Sequence, residues 1–126
     1  PQGIRGPLAR LVGQGAIEME VVHEKCGGTC VVRIVGDIGV ENSPQLRKKL
    51  RALAAEKAGR MAIDLGQVNY MDSSGIATLV ECLKNVTGHG GKLCLFNINT
   101  TIKDVLEITR LSNLFDIRQT REEALE

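Results

Sequence analysis

The feature that most constrains this chain is a change of hydrophobic period across four small or polar residues. Met61-Ala62-Ile63-Asp64-Leu65 is a short apolar run of the kind that forms a buried strand. Ile76, Leu79, Val80 and Leu83 recur at i, i+3, i+4 and i+7, the stripe of an amphipathic helix. Asp72-Ser73-Ser74-Gly75 lies between the two. Two hydroxyls and a carboxylate are thereby placed at a strand-to-helix junction. Free backbone N–H groups and the positive end of the helix dipole favour an anion there. Open α/β sheets also carry their sites on that rim.

The same alternation runs through the rest of the chain. Ile17 to His23 reads as a first strand, Gly27-Gly28 as a hairpin turn, and Cys30 to Val35 as a second, antiparallel strand. Asn42-Ser43-Pro44 opens a helix, with Asn42 or Ser43 as cap and Pro44 in the first turn. Leu46, Leu50 and Leu53 form its apolar stripe, and Lys48, Lys49 and Arg51 a solvated face. Arg60 to Leu65 is the third strand, and the helix after the serines runs from about Ser74 to Val86. Thr87-Gly-His-Gly-Gly91 ends that helix, with glycine where a C-cap needs positive φ. Lys92 to Asn97 is a fourth strand. Asn99-Thr100-Thr101 opens a helix whose core face is Ile102, Val105, Leu106 and Thr109. Phe115 to Gln119 is a short fifth strand, and Thr120 to Glu123 has the spacing of a capping box for a last helix. Right-handed crossovers between parallel neighbours put the three connecting helices on one face. The expected architecture is a two-layer α/β domain with a mixed sheet of about five strands and helices mainly on one face. Residues 1–16, with four glycines, read as a flexible leader or an expression-derived extension, and 17–126 as one domain.

Balance of charge narrows the function. Sixteen basic residues against 15 acidic leave a net charge of +1, which gives no electrostatic bias toward nucleic acid or an anionic membrane. Aromatics are only 2% of the chain, too few for base-stacking platforms. No apolar run approaches the ~20 residues of a membrane span. Cys26, Cys30, Cys82 and Cys94 lack zinc spacing, with only His23 and His89 to join them, and read as reduced thiols in a cytoplasmic protein. No cofactor or metal is expected.

Enzymatic motifs fail on inspection. Gly88-His-Gly-Gly-Lys92 has Val86 where a P-loop needs its first glycine, Leu93 after the lysine, and a strand in place of a helix downstream. Ser73 and Ser74 lack the first glycine of a nucleophile elbow. They also lack a base, because His89 lies past the far end of the helix, ~20 Å away at 1.5 Å per residue. From the residues alone two readings of Asp72-Ser73-Ser74-Gly75 stay open. Ser74 is an N-cap with Gly75 allowing a close first turn, or one serine is functional. Capping by Ser74 leaves Ser73 unexplained.

The stretch from Ile63 to Ile76, Ile-Asp-Leu-Gly-Gln-Val-Asn-Tyr-Met-Asp-Ser-Ser-Gly-Ile, resembles the signature of STAS domains, in particular the bacterial anti-sigma-factor antagonists. The likeness extends over Glu18 to Glu126 and takes in Gly36-Asp37-Ile38, Asn42-Ser43, Gly90-Gly91 and Ile102 to Leu114. It implies a STAS-like fold and a regulatory binding module that is not an enzyme. It also implies a partner that is both anti-sigma factor and serine kinase, bound while Ser73 is unphosphorylated, and a serine phosphatase that resets the cycle. Partner-binding residues carried over are Asp37, Asp72, Ser73, Ser74, Gly75 and Ile76. The alternative the resemblance leaves open is a STAS accessory subunit of an ABC-type (lipid) transporter, docked on an ATPase. Two positions depart from the family pattern: Gly39 stands where an acidic or polar residue is frequent, and Ala77 where a glycine is.

Overall fold

The computed structural model describes residues 9–12 and 18–126. Its elements are β1 (Ala9–Val12), β2 (Glu18–Cys26), β3 (Thr29–Val35), α1 (Ser43–Ala54), β4 (Arg60–Gln67), α2 (Ser73–Gly88), β5 (Lys92–Phe96), α3 (Thr100–Ile108), β6 (Asp116–Arg118) and α4 (Arg121–Leu125). The strands form one sheet in sequence order. β1, β2 and β3 are antiparallel neighbours, and β3 to β6 are parallel. The mixed α/β sheet is as expected, with β1 as an additional edge strand. That strand falls in the stretch read as a leader, where Ala9–Val12 pairs with Glu18 to Val21; the rest of 1–16 lies outside the described residues.

Alternation along the strands decides which side each helix takes. Met19, Val21, Cys30, Val32, Ile34, Met61, Ile63, Leu65, Leu93 and Leu95 point to one face, and the stripes of α1, α2 and α3 pack on them. The parallel strands are apolar on the reverse face too, as strands covered on both sides must be. Val31, Ala62, Cys94 and Phe96 pack there against Ala124 of α4. Three crossover helices therefore share one face, as right-handed connections require, and the short terminal helix covers part of the other. Gly27, at φ +61, makes the two-residue turn between β2 and β3.

Two local expectations need correction. Thr109 is not part of the α3 core face. It is exposed at the helix end, where its hydroxyl donates to Val105 O at 2.8 Å, while Ile102 and Leu106 carry the burial. Asn42 starts α1 but makes no side-chain cap; its amide is used elsewhere, as described below.

Candidate functional site

All parallel strands point their C-terminal ends at one edge of the sheet, and the loops leaving that edge are stitched together. Gly36 N donates to Gln67 O at 3.1 Å, Ile38 N to Tyr70 O at 3.0 Å, and Asp72 N to Ile38 O at 3.1 Å. Ile38 and Met71 form a parallel bridge. Asn99, which caps α3 through Ile102 N, also donates from Nδ2 to Val68 O at 2.7 Å. The loop before α1 and the loop before α2 are thus one surface, with Asp37 and Ser73 both exposed on it.

At the start of α2 the cap is Asp72, not Ser74. Asp72 has extended backbone (φ −93, ψ −172). Its Oδ1 accepts Ser74 N at 2.9 Å, Gly75 N at 3.2 Å and Ser74 Oγ at 2.5 Å. Both residues are good N-caps, and a carboxylate has an advantage at the positive end of the dipole. The helix consequently begins one residue earlier, at Ser73. Partial burial pushes the Asp72 carboxyl up; hydrogen bonds from Ser74 Oγ and from the backbone N–H groups of Gly75, Ser74 and Val40 outweigh it and hold the carboxyl below its ordinary value.

The two serines are now in different situations. The Ser74 hydroxyl is half-buried and committed to Asp72, and Ser74 O accepts Thr78 Oγ1 at 2.9 Å. Ser73 occupies the first helical position, is exposed, and among the described residues has no side-chain hydrogen bond. Gly75 is buried because nothing larger fits: a Cβ there would lie 2.5 Å from Met71 Cγ and 2.8 Å from Ile38 Cγ2. Ile76 is half-buried against the core. On its outer side α2 is linked to α1 through Glu81, which forms an ion pair with Arg47 (Nε at 3.0 Å) and accepts a hydrogen bond from Arg51 Nε at 3.1 Å.

Asp37, Asp72, Ser73, Ser74, Gly75 and Ile76 therefore come together on one edge. Three contributors were missed in the sequence. Asn42 is fully buried, and its side chain takes Gly39 N at 2.9 Å and gives to Asp37 O at 2.9 Å, bracing the loop. Val40 and Tyr70 are large apolar side chains left 68% and 55% exposed beside the junction. No periodicity marks them, since each sits in an irregular segment.

Other chemistry is remote or blocked. The glycine loop after α2 closes the helix, with Gly90 at φ +87 and Gly91 N on Val86 O at 3.0 Å. His23 is on β2 and His89 caps the opposite end of α2 from the serines. Burial pushes the Cys82 thiol up to about 12 and raises those of Cys30 and Cys94, so these thiols stay protonated at neutral pH. Among the described residues no group of three His, Cys, Asp or Glu could hold a metal, and no helix is long and apolar enough to cross a membrane.

Comparison with known proteins identifies the family and the fold. The STAS domain family matches residues 20–124. The chain is 40% identical over 86 residues to an anti-sigma-B factor antagonist of Bacillus subtilis, covering 68% of this chain and 78% of that one. Its fold is that of an anti-sigma factor antagonist from Mycobacterium paratuberculosis, at TM-score 0.79 and 22% identity over 91% of this chain and 96% of that one. The phosphorylated form of the Bacillus cell fate determinant SpoIIAA superposes at TM-score 0.66 and 22% identity, over 83% and 96% of the two chains. This chain belongs to the STAS domain family, and its curated relatives there include the anti-sigma-B factor antagonist of Bacillus subtilis.

Proposed function

We propose that this domain is an anti-sigma-factor antagonist switched by phosphorylation of Ser73. Unphosphorylated, it binds and sequesters a cytoplasmic anti-sigma factor that is also a serine kinase; modified, it lets go, and a serine phosphatase restores it. The observation that carries the reading is the division of labour between the serines. The Ser74 hydroxyl is spent on Asp72, and the Ser73 hydroxyl stands free at a helix N-terminus on the loop edge. Asp37, Asp72, Ser74, Gly75 and Ile76 surround it as the partner-binding surface. The domain is a ligand and a substrate in this scheme, not a catalyst. Neither nucleic acid nor membrane insertion has a part in it.

The energetics favour a switch that acts at the interface. A phosphate adds about −1.5 to −2 charges. At the start of α2 the dipole favours that charge by about 0.3–1 kcal/mol, so the fold is retained. Asp72 next door and any close-packed partner surface oppose it. An unpaired dianion buried in an interface costs several kcal/mol, and about 1.4 kcal/mol is tenfold in affinity.

The test is incubation with the anti-sigma-factor kinase encoded in the same genome and ATP, with the site mapped by mass spectrometry. Phosphate on Ser73 and loss of the complex are expected. Modification confined to Ser74, or a phosphorylated complex as tight as the unmodified one, refutes the reading.

A further inference from the structure

The carboxylate of Asp72 makes more bonds than a helix cap needs. Oδ1 alone closes the start of α2, taking Ser74 N, Gly75 N and Ser74 Oγ. Oδ2 crosses to the neighbouring loop and accepts the backbone N–H of Val40 at 3.2 Å. Gly39 lies against that crossing. A Cβ on Gly39 would lie 3.3 Å from Asp72 Oδ2, so a side chain there would require the carboxylate to give by a few tenths of an ångström. The loop so held carries the exposed Val40, and the segment it pairs with carries the exposed Tyr70. Ser73 lies one residue beyond Asp72 on the same edge.

We propose that Asp72 is a positioning residue for partner docking. Its Oδ2 bond to Val40 N holds the Gly36 to Asn42 loop against the start of α2, so that Val40, Tyr70 and Ser73 meet the partner as one preformed patch. The proposal rests on the reading that this edge receives the kinase. Its physical basis is preorganisation: a loop already in its bound geometry loses less freedom on association. A hydrogen bond to an ionised carboxylate is a strong choice for that purpose, since it is roughly twice as strong as a neutral one. Gly39 then leaves the carboxylate uncrowded while it serves both the helix and the loop.

Two variants separate this role from capping. Asp72→Asn keeps one side-chain oxygen for Ser74 N and Gly75 N but puts an NH2 group, which cannot accept, opposite Val40 N–H. Gly39→Ala leaves the charge in place and crowds Oδ2, which must shift by a few tenths of an ångström. The first measurement is amide hydrogen exchange by NMR. Val40 N–H should exchange at least tenfold faster in Asp72→Asn and faster by a smaller factor in Gly39→Ala, while the amides of Leu79 and Val80 in α2 stay as in the wild type. The second measurement is phosphorylation by the kinase that modifies the wild type. KM should rise about tenfold in Asp72→Asn and by a smaller factor in Gly39→Ala, with kcat within about threefold in both. Unchanged Val40 exchange overturns the bridge. Faster exchange with an unaltered KM overturns its docking role. Equal loss in KM, kcat and α2 protection would mean that Asp72 acts only as a cap, which also overturns the proposal. If no kinase modifies the wild type, the functional reading falls and takes the docking role with it, while the exchange result still decides the bridge.

Discussion

Two helices start on the same edge of the sheet, and they use their polar residues in opposite ways. At α1, Asn42 is fully buried, caps nothing with its side chain, and spends its amide on Asp37 O and Gly39 N. Ser43 beside it is buried as well. At α2, Asp72 caps through Oδ1 and reaches sideways through Oδ2, Ser74 is tied to it, and Ser73 is left exposed. The first start is a closed brace in which the Asn42 amide is spent on the fold. The second is built so that one hydroxyl remains over. The comparison teaches that a helix N-terminus becomes a candidate site when its capping has been done by a neighbour. A serine at the junction is not enough.

The severest test removes the ground under both starts. Leu79 is fully buried between α2 and the sheet. Leu79→Asp puts an unpaired charge into that core and should leave the chain unfolded by circular dichroism, a loss above about 4 kcal/mol. Leu83 is only half-buried, so Leu83→Asp should lower the melting temperature and leave a folded domain. Equal damage from both would mean that the stripe is packed more symmetrically than the burial indicates.

Next comes the brace. Asn42→Ala strips the partners from Gly39 N and Asp37 O inside the loop and should cost about 2–3 kcal/mol in a urea melt. A loss under about 0.5 kcal/mol would show that α1 does not depend on it, and the contrast between the two starts would collapse.

A smaller effect follows from acid. The folded Asp72 carboxyl sits below its ordinary value, so the ionised form is favoured by folding. Its contribution is fully present above the unfolded value of about 3.9. It is lost as pH falls from there through the lower folded value. Asp72→Asn should flatten the stability profile in that acid range and leave its shape near neutrality unaltered, as read by urea midpoints against pH. An identical acid limb in wild type and variant would assign that limb to other carboxylates.

Much of this arrangement was legible in the residues. The periods of Met61 to Leu65 and Ile76 to Leu83 placed the junction, and Gly75 signalled close packing that the Ile38 and Met71 side chains explain. What was not legible depends on contacts between segments distant in the chain or on near-equal local choices. Asp72 and Ser74 are both favoured N-caps, and helix starts shift by a residue or two at little cost. The loop at Val40, whose N–H helps seat the carboxylate, is 32 residues away. Asn42 looked like a cap because its actual partners, Asp37 O and Gly39 N, become available only once the loop has folded. Ala9–Val12 is too short a run for its pairing with β2 to be read from alternation.

The finest test compares the two serines in the folded domain. Ser74→Ala deletes a hydroxyl bonded to Asp72 and removes one of the bonds that keep its carboxyl ionised. It should cost about 1 kcal/mol, the usual worth of such a bond. Ser73→Ala deletes an exposed hydroxyl with no side-chain hydrogen bond among the described residues and should stay within about 0.5 kcal/mol of wild type, as surface substitutions do. In binding it is the charge at residue 73 that decides. Ser73→Ala keeps the surface uncharged, so it should hold the anti-sigma-factor kinase and become insensitive to ATP. Ser73→Asp brings only about one of the phosphate's −1.5 to −2 charges and should weaken the complex in part, with a near-native melting temperature because the helix start tolerates the charge. Calorimetric titration and thermal melts of the three variants read binding and stability together. If Ser73→Asp bound like wild type while Ser73→Ala did not, charge at this position would not be what the partner senses. The free hydroxyl would then be an ordinary docking contact.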